Sequence, residues 1–266
     1  MTDDQRQRRD WALILGASSG FGEACALKLA EVGFNIFGVH LDRKATLPKV
    51  QEIISRIEGM GRRALFFNIN AADHEKRREA IGRIEERLKE GGKLEVMIHS
   101  LAFGSLKPFI AKEGQAINPQ EMAVTMEVMA HSLLWWVQEL IARNLMGRGG
   151  RIFAITSLGG VRVWPNYGAV SSAKAALESH VRQLALELAP LGITVNAIRP
   201  GATDTPALRK IPGAEKIMET ALGRNPGGRL TTPADVANAI AALCQGDISW
   251  MTGNVIGVDG GEAIVG

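Results

Sequence analysis

Cysteine and tyrosine are both scarce in this 266-residue chain, which has two cysteines and one tyrosine. Cys25 and Cys244 belong to no metal-binding or redox motif, which argues against a disulfide-stabilised scaffold and against a zinc site. Cys25 lies in a stretch of helical apolar periodicity, which indicates a buried and unreactive thiol. Free thiols are typical of proteins in the reducing cytoplasm. Any chemistry that needs a phenolic hydroxyl must use Tyr167.

Long apolar runs and long runs of one charge are also absent. No apolar run reaches the roughly 18 residues of a transmembrane helix, and the polar segment 1–10 does not resemble a signal peptide. The 31 basic and 28 acidic residues give a net charge of +3, and the charged stretch 75–90 mixes both signs, as on a solvated helix face. We therefore expect a cytoplasmic protein with no membrane, nucleic-acid or metal partner.

Short apolar runs alternate with longer amphipathic stretches along the whole chain. Seven of these runs are predicted strands, the first over Ala12–Leu15 and the last over Asn254–Val258. The alternation predicts a single-domain α/β fold of Rossmann type over 11–266, a doubly wound parallel sheet with helices on both faces. One long helix is expected over Pro119–Leu145. The irregular stretch rich in glycine and proline predicts a substrate lid within about 202–228.

A glycine-rich loop directly follows the first predicted strand and opens the first helix. Glycines permit a tight turn there and let backbone N–H groups approach a pyrophosphate at the helix N-terminus. A glycine triplet alone is a weak signal, but its place after the first strand strengthens it. The loop predicts a dinucleotide site whose candidate contacts are Gly16, Ser18, Ser19, Gly20, Phe21 and Gly22.

The end of the second strand carries a mixed signal about the cofactor. An acidic residue at this point binds both adenosine ribose hydroxyls, whereas basic residues suit a 2′-phosphate. His40 occupies the expected acidic position, and Asp42 follows two residues later beside Arg43 and Lys44. The pattern favours NADPH over NADH without deciding between them, and an ordinary solvated loop remains the other interpretation of the two basic residues.

Tyr167 and Lys174 are separated by six residues. On a helix, residues seven apart lie on nearly the same face, roughly 10 Å apart along the axis. A nearby ammonium favours the ionised form of a phenol and so lowers its pKa from about 10. Taken alone, such a pair is common on helix surfaces, so its interpretation depends on the rest of the sequence.

The order of several motifs resembles the short-chain dehydrogenase/reductase family across almost the whole chain. The motifs are Gly16–Gly22, Ser157, Tyr167, Lys174, Val195–Ala197, Pro200–Gly201, Thr252–Gly253 and Val258–Gly261. Most members place lysine four residues after tyrosine, but position 171 here is serine. The six-residue gap and the run His99–Gly104 instead resemble the divergent branch, the bacterial enoyl-[acyl-carrier-protein] reductases.

Two departures from the wider family narrow the resemblance further. The helix-borne asparagine of alcohol-oxidising members is missing from the region Glu127–Ala130. Ser157 stands where the best-known enoyl reductases carry a second tyrosine, ten residues before Tyr167. Ser157–Gly159 and Gly201–Leu208 are most similar to the NADPH-using FabL-type enoyl reductases, which also have serine at this point.

The resemblance implies a reaction and a set of site residues. An NAD(P)H-dependent reductase would reduce the C2=C3 bond of a trans-2-enoyl thioester in fatty-acid elongation, with hydride added to C3. Tyr167 would stabilise the enolate, Lys174 would hold the nicotinamide ribose, and Ser157 either adds a hydroxyl or is structural. Further cofactor contacts are implied at His40, Arg43, Asn70, Ser100, Leu101, Ala102, Lys174, Gly201 and Thr203. An acyl-carrier-protein partner and a homotetramer are also implied.

Two other functions stay open on the sequence. Ser157 occupies the position of the catalytic serine of carbonyl and β-ketoacyl reductases, although the Tyr–Lys spacing and the missing asparagine count against that activity. A non-catalytic NAD(P)-sensing protein is the third possibility. The Tyr167–Lys174 pair counts against it, because a sensor needs neither side chain.

Overall fold

The computed structural model describes residues 10–112, 114–246 and 248–265. Apart from Asp10, the polar segment expected over 1–10 lies outside the described residues. Seven strands form one sheet: β1 Trp11–Leu15, β2 Asn35–His40, β3 Ala64–Asn68, β4 Leu94–His99, β5 Arg151–Ile155, β6 Thr194–Pro200 and β7 Val255–Val258. The helices are α1 Gly20–Glu31, α2 Leu47–Gly59, α3 His74–Lys89, α4 Pro119–Met126, α5 Ser132–Ala142, α6 Gly168–Leu188, α7 Ala214–Arg224 and α8 Pro233–Leu243.

All seven strands run parallel in the order β3-β2-β1-β4-β5-β6-β7. The chain leaves β1 towards β2 on one side and reaches β4 on the other, so the strand order reverses at β1. Leu15 is in register with Val39 on one side and with His99 on the other. Ligands bind at such a reversal in open parallel sheets, outside the carboxyl ends of the strands. The predicted doubly wound parallel sheet is confirmed.

Each face of the sheet packs against its own group of helices. Ile14 belongs to the core formed with α1, α2 and α8, whereas Leu13 belongs to the core formed with α3, α5 and α6. Both side chains are fully buried, and burying a leucine or isoleucine contributes roughly 1.5–3 kcal/mol. Cys25 and Cys244 are both buried, and burial raises the pKa of the Cys25 thiol. The prediction of a buried thiol at Cys25 is therefore confirmed.

The prediction of one long helix over Pro119–Leu145 is wrong. The chain forms α4, then a π-helical turn over Glu127–His131, and then α5, which ends at Ala142. The Ser132 hydroxyl donates to the Val128 carbonyl at 2.8 Å, which gives this wider turn a side-chain partner. Asn144 then adopts a left-handed φ of 56°, and the helix does not continue.

The glycine- and proline-rich stretch is more regular than expected. It contains α7, which begins after Gly213, a residue with a left-handed φ of 78°. A 3₁₀ turn over Leu208–Lys210 precedes it. The segment predicted as a lid is thus a helix carried on two connections, and it follows the carboxyl end of β6.

Candidate functional site

The glycine-rich loop lies between the carboxyl ends of β1 and β4. A Cβ on Gly22 would stand 2.0 Å from the Gly16 carbonyl oxygen, and one on Gly16 would stand 2.3 Å from the Ser100 carbonyl oxygen. Ser19 precedes α1 in an extended conformation and makes no side-chain cap. The Ser19 side chain therefore leaves the N–H groups in the first turn of α1 uncapped. These features fit the pyrophosphate of a dinucleotide.

A carboxylate lies beside this loop at the end of β2. Asp42 Oδ2 is 3.0 Å from His40 Nδ1, and the Asp42 backbone exchanges two hydrogen bonds with the Asn68 side chain, at 2.9 and 3.0 Å. Burial alone would raise the pKa of Asp42, but hydrogen-bonding side chains outweigh it and lower that pKa; they belong to Ser18, Thr46 and His40. Burial also lowers the pKa of His40, against the opposing effect of Asp42. The site therefore has an ionised carboxylate beside a neutral imidazole.

His40 and Arg43 were the cofactor contacts predicted at this position, and Asp42 was not among them. In the structure Arg43 and Lys44 are exposed, whereas Asp42 turns towards Ser18 of the glycine loop. The sequence did point to Asp42 in one way, since it is an aspartate two residues after the end of β2. The glycine loop that it contacts contains Ser18.

The remaining candidate cofactor residues lie along the same edge of the sheet. Asn70 follows β3 and accepts a hydrogen bond from the Ala72 backbone N–H at 3.0 Å. The residues Ser100, Leu101 and Ala102 follow β4. The buried residues Gly201 and Thr203 follow β6.

Glu262 also lies at this edge of the sheet, although no motif in the sequence pointed to it. The side chain is buried, and its Oε2 accepts a hydrogen bond from Ala202 N at 2.8 Å. A Cβ on Gly201 would stand 2.7 Å from the same oxygen. The carboxylate therefore anchors the backbone at the start of the segment predicted as a lid.

Tyr167 and Ser157 come together at the carboxyl end of β5. The Tyr167 ring lies against Gly159, where a Cβ would stand 2.4 Å from Cε1. Burial raises the pKa of the Tyr167 hydroxyl, and a hydrogen bond with Ser157 opposes that rise. Ser157 Oγ also accepts the Gly159 N–H at 3.1 Å. The phenol is therefore protonated at neutral pH and can donate a hydrogen bond.

Lys174 is buried in the second turn of α6, and its Nζ donates to the Ile155 carbonyl at 2.7 Å. Burial lowers its pKa to about 8, against the opposing effect of Glu178. The expectation that Lys174 lowers the pKa of Tyr167 is wrong in this structure. The ammonium turns to the end of β5, and the tyrosine pKa is raised by its own burial.

His99, at the end of β4, is a buried neighbour of this site whose role the sequence did not predict. Its Nε2 is 2.8 Å from Ser132 Oγ, and because that hydroxyl donates to Val128, Nε2 must carry the proton. Burial, followed by repulsion from Lys174, lowers the pKa of His99 to about 3. The sequence contained His99 at the end of a predicted strand and in the run His99–Gly104, but neither feature indicates a buried imidazole. The result is a neutral imidazole of fixed tautomer close to the lysine.

Exposed apolar side chains surround this end of the sheet. Phe103, Phe109 and Ile110 follow β4, and Val161 and Val163 follow β5. The Phe109 ring lies against Gly168, the first residue of α6 after Tyr167. We call these five exposed side chains the apolar rim, and one of them, Phe109, contacts the residue next to Tyr167.

Residues 16–262 match the protein family described as "Enoyl-(Acyl carrier protein) reductase". The chain belongs to this family. It is an NAD(P)-dependent oxidoreductase of the short-chain dehydrogenase/reductase type, and its resemblance to enoyl-[acyl-carrier-protein] reductases is confirmed.

Named relatives of this family member act on different substrates. A 1-cyclohexenylcarbonyl-CoA reductase from Streptomyces collinus is 31% identical over 97% of this chain and 88% of its own length. The NADH-dependent enoyl reductase FabI of Aquifex aeolicus is 34% identical over 71% of this chain and 69% of its own length. The 3-oxoacyl-[acyl-carrier-protein] reductase FabG of Thermotoga maritima is 27% identical over 95% and 97%.

Solved structures of the same fold agree with this family membership. FabI from Candidatus Liberibacter asiaticus superposes with a TM-score of 0.85 at 25% identity, covering 98% of each chain. A short-chain dehydrogenase from Burkholderia cenocepacia in complex with NADP superposes with a TM-score of 0.81 at 26% identity, covering 97% of this chain and 99% of its own. Nicotinamide cofactors of both kinds therefore occur among the relatives of this reductase.

In the part of the chain that the structure describes, no helix has the length and apolarity needed to span a bilayer. Within the same residues, no group of three or more potential metal-ligating side chains comes together.

Proposed function

We propose that this reductase uses NAD(P)H to reduce the C2=C3 bond of a trans-2-enoyl thioester. The observation that carries the proposal is the Tyr167 hydroxyl, a protonated donor with Lys174 seven positions later rather than four. Its neighbour in space is a serine, Ser157, and Phe109 of the apolar rim contacts the next residue, Gly168. The match to the enoyl-[acyl-carrier-protein] reductase family supports the same reaction.

Tyr167 would act on the oxygen of the substrate. When bound, the nicotinamide supplies the hydride that reduces C3 of the enoyl group. Negative charge then develops on the thioester oxygen, and the Tyr167 hydroxyl donates a hydrogen bond to it. The raised pKa of Tyr167 keeps this donor protonated. Protonation at C2 by solvent completes the saturated thioester.

Ser157 and Lys174 would support this donor in different ways. Ser157 bonds to the Tyr167 hydroxyl and limits where it can point. Lys174, with a pKa of about 8, is mostly protonated at pH 7 and would hold the hydroxyls of the nicotinamide ribose. His99, neutral and of fixed tautomer, adds no second positive charge beside it.

The cofactor would lie along the carboxyl ends of β1, β2 and β4. Backbone groups of Gly16–Gly22 would hold the pyrophosphate. We propose NADPH as the preferred cofactor because Arg43 and Lys44 can meet a 2′-phosphate, although the Asp42 carboxylate would oppose it. We expect Asp42→Ala to lower the KM for NADPH about tenfold relative to that for NADH, measured by steady-state kinetics with both cofactors.

The apolar rim supports an acyl chain as the substrate tail. An acyl-carrier-protein thioester is the proposed natural form, since the names of two relatives specify that carrier. The cytoplasmic location and the homotetramer predicted from the sequence also remain proposals.

A single assay tests the reaction. Purified protein is mixed with crotonyl-CoA or with acetoacetyl-CoA, and oxidation of NADPH and of NADH is followed by absorbance. We expect turnover with the enoyl substrate only, and loss of most of it in Tyr167→Phe. Saturable cofactor binding without turnover on either thioester would contradict the proposal and favour a sensor.

The second candidate is a β-ketoacyl reductase. It is favoured by the contact between Ser157 and the Tyr167 hydroxyl, because a serine–tyrosine pair can also protonate a ketone. The FabG relative supports the same reading. Turnover confined to acetoacetyl-CoA would establish this candidate and refute the first.

A further inference from the structure

Two side chains of α6 are held by consecutive residues at the carboxyl end of β5. Lys174 Nζ donates a hydrogen bond to the Ile155 carbonyl at 2.7 Å. The next residue, Thr156, donates its hydroxyl to Glu178 Oε1, also at 2.7 Å. A carboxylate that has no part in the proposed mechanism is thus fixed by the residue next to the one that fixes the lysine.

Lys174 and Glu178 are also neighbours on the helix itself. Residues four positions apart on an α-helix have Cβ atoms about 5–6 Å apart. The turn that follows β5 covers the pair, since a Cβ on Gly160 would stand 3.4 Å from Lys174 Cβ and 3.7 Å from Glu178 Oε1. Thr156 and Lys174 are both buried, so water screens the two opposite charges less than it would at an open surface.

Burial of Lys174 gives this carboxylate a role. Removing an ammonium from water disfavours its charged form, and burial lowers the pKa of Lys174 to about 8. Glu178 opposes this effect and raises that pKa. The carboxylate therefore stabilises the protonated form of the lysine.

The other titratable groups that face Lys174 from the sheet supply no such negative charge. His99 of β4 is a neutral imidazole, because burial lowers its pKa to about 3. Arg199 of β6 alternates with apolar residues that pack against α6, and its charge has the same sign as that of Lys174. The raised pKa of Tyr167 leaves its hydroxyl uncharged.

Carboxylates of the neighbouring strands and helices are bonded elsewhere. Four of them have other partners at 2.6–2.9 Å: Glu95 with Arg151, Glu121 with Lys107, Glu127 with Trp135 and Glu139 with Arg143. The rings of His131 and His180 are bonded to one another at 3.0 Å. The negative charge that acts on Lys174 is therefore that of Glu178.

We propose that Thr156 and Glu178 are positioning residues for Lys174. The Thr156 hydroxyl holds the Glu178 carboxylate one helical turn beyond the lysine, and that charge holds the buried side chain in its ammonium form. An ammonium has three donors. One goes to the Ile155 carbonyl, and two remain for the two hydroxyls of the nicotinamide ribose, whereas a neutral amine would keep only one. The inference rests on the proposed function, in which Lys174 binds that ribose.

The first test measures the pKa of Lys174 directly. The whole protein is labelled with ¹³C at lysine Cε and titrated by NMR, and the Lys174 signal is assigned by its loss in Lys174→Met. Glu178→Gln keeps an oxygen that can accept from Thr156 but removes the charge, and we expect it to lower the pKa of Lys174 by about 1 pH unit. Glu187→Gln is the matched control and should leave that pKa unchanged, because Glu187 is exposed on the same helix and bonded to Gln183. An unchanged pKa of Lys174 in Glu178→Gln overturns the proposal.

Two variants of Thr156 test whether its hydroxyl positions the carboxylate. Thr156→Val removes the hydroxyl, and Thr156→Ser retains it. We expect Thr156→Val to lower the pKa of Lys174 by less than Glu178→Gln does, and Thr156→Ser to leave it unchanged. Equal pKa values of Lys174 in the two variants would overturn the role of Thr156.

The second test is the pH dependence of turnover with crotonyl-CoA and NADPH. With a pKa lowered from about 8 to about 7, the protonated fraction of Lys174 at pH 8 falls from about a half to about a tenth. We therefore expect kcat/KM for NADPH in Glu178→Gln to fall about fivefold at pH 8 and less than about twofold at pH 6. An equal fall at both pH values would indicate a purely structural role and overturn the proposal. If the unchanged protein does not reduce crotonyl-CoA, the proposed function fails, but the NMR titration still decides whether Glu178 acts on Lys174.

Discussion

The two ends of the candidate active site are built on different physical principles. At the glycine loop, backbone atoms approach so closely that a Cβ on Gly22 would stand 2.0 Å from a carbonyl oxygen. Around Tyr167, polar side chains are buried instead, and burial moves the pKa values of Tyr167, Lys174 and His99. Shape therefore governs the cofactor end, and electrostatics governs the reaction end. Variants at the first end should change affinity for the cofactor, and variants at the second should change turnover and its pH dependence.

Tyr167→Phe should have the largest effect. It removes the hydroxyl that donates to the developing negative charge but keeps the ring packed against Gly159. We expect kcat with crotonyl-CoA to fall about 100- to 1000-fold, the usual loss for one such donor. The dissociation constant for NADPH, measured by fluorescence titration, should change less than about twofold. A large loss of cofactor affinity would contradict the proposal that variants at the reaction end change turnover and not cofactor binding.

Gly22→Ala should be the most damaging change at the cofactor end. The new methyl group would overlap the Gly16 carbonyl, and we expect affinity for NADPH to fall about 100-fold, close to 3 kcal/mol. Gly59→Ala is the matched control, because no atom lies within 4 Å of a Cβ at that position. It should bind cofactor normally. Normal binding by Gly22→Ala would show that the loop is not constrained by shape.

The two ends also differ in how well the sequence predicts them. Gly16 and Gly22 were identifiable because their small size is the property that the structure uses. The first and last of the seven strands were predicted to within one residue at each end, because a strand of a parallel sheet is a short, mostly apolar run. Side-chain direction was not predictable in the same way. The spacing of Tyr167 and Lys174 gives a helix face, but it does not show that Nζ reaches Ile155.

The π-helical turn and α7 were missed for local reasons. The turn over Glu127–His131 depends on a side-chain bond from Ser132 to Val128, which apolar periodicity does not report. α7 lies in a stretch whose glycines and prolines obscure its helical pattern. One of those glycines, Gly213, starts the helix in a left-handed conformation.

The lowered pKa of Lys174 predicts that the free energy of unfolding depends on pH. Its pKa is lowered to about 8 in the folded protein, so the folded protein releases this proton before the unfolded chain does. The contribution of Lys174 to stability therefore rises as the pH rises through 8, by about 1 kcal/mol between pH 7 and pH 9. Urea unfolding at both pH values should show this gain relative to Lys174→Met. If the free energy of unfolding changed equally between pH 7 and pH 9 in the two proteins, Lys174 would not be desolvated.

Ser157→Ala should have the smallest effect and decides between the two roles of this serine. Loss of its bond to Tyr167 should lower kcat about three- to tenfold, in keeping with about 1 kcal/mol for a neutral hydrogen bond. Cofactor affinity and melting temperature should stay nearly constant. A lower melting temperature with unchanged kcat would show that Ser157 only caps the turn at Gly159.

The most direct test of the proposed reaction is where the transferred hydride is found. The protein is incubated with equal amounts of crotonyl-CoA and acetoacetyl-CoA and with NADPH carrying deuterium at C4 of the nicotinamide, and the products are analysed by mass spectrometry and NMR. The proposed function predicts butyryl-CoA with one deuterium at C3. Deuterated 3-hydroxybutyryl-CoA in its place would contradict the enoyl reductase assignment.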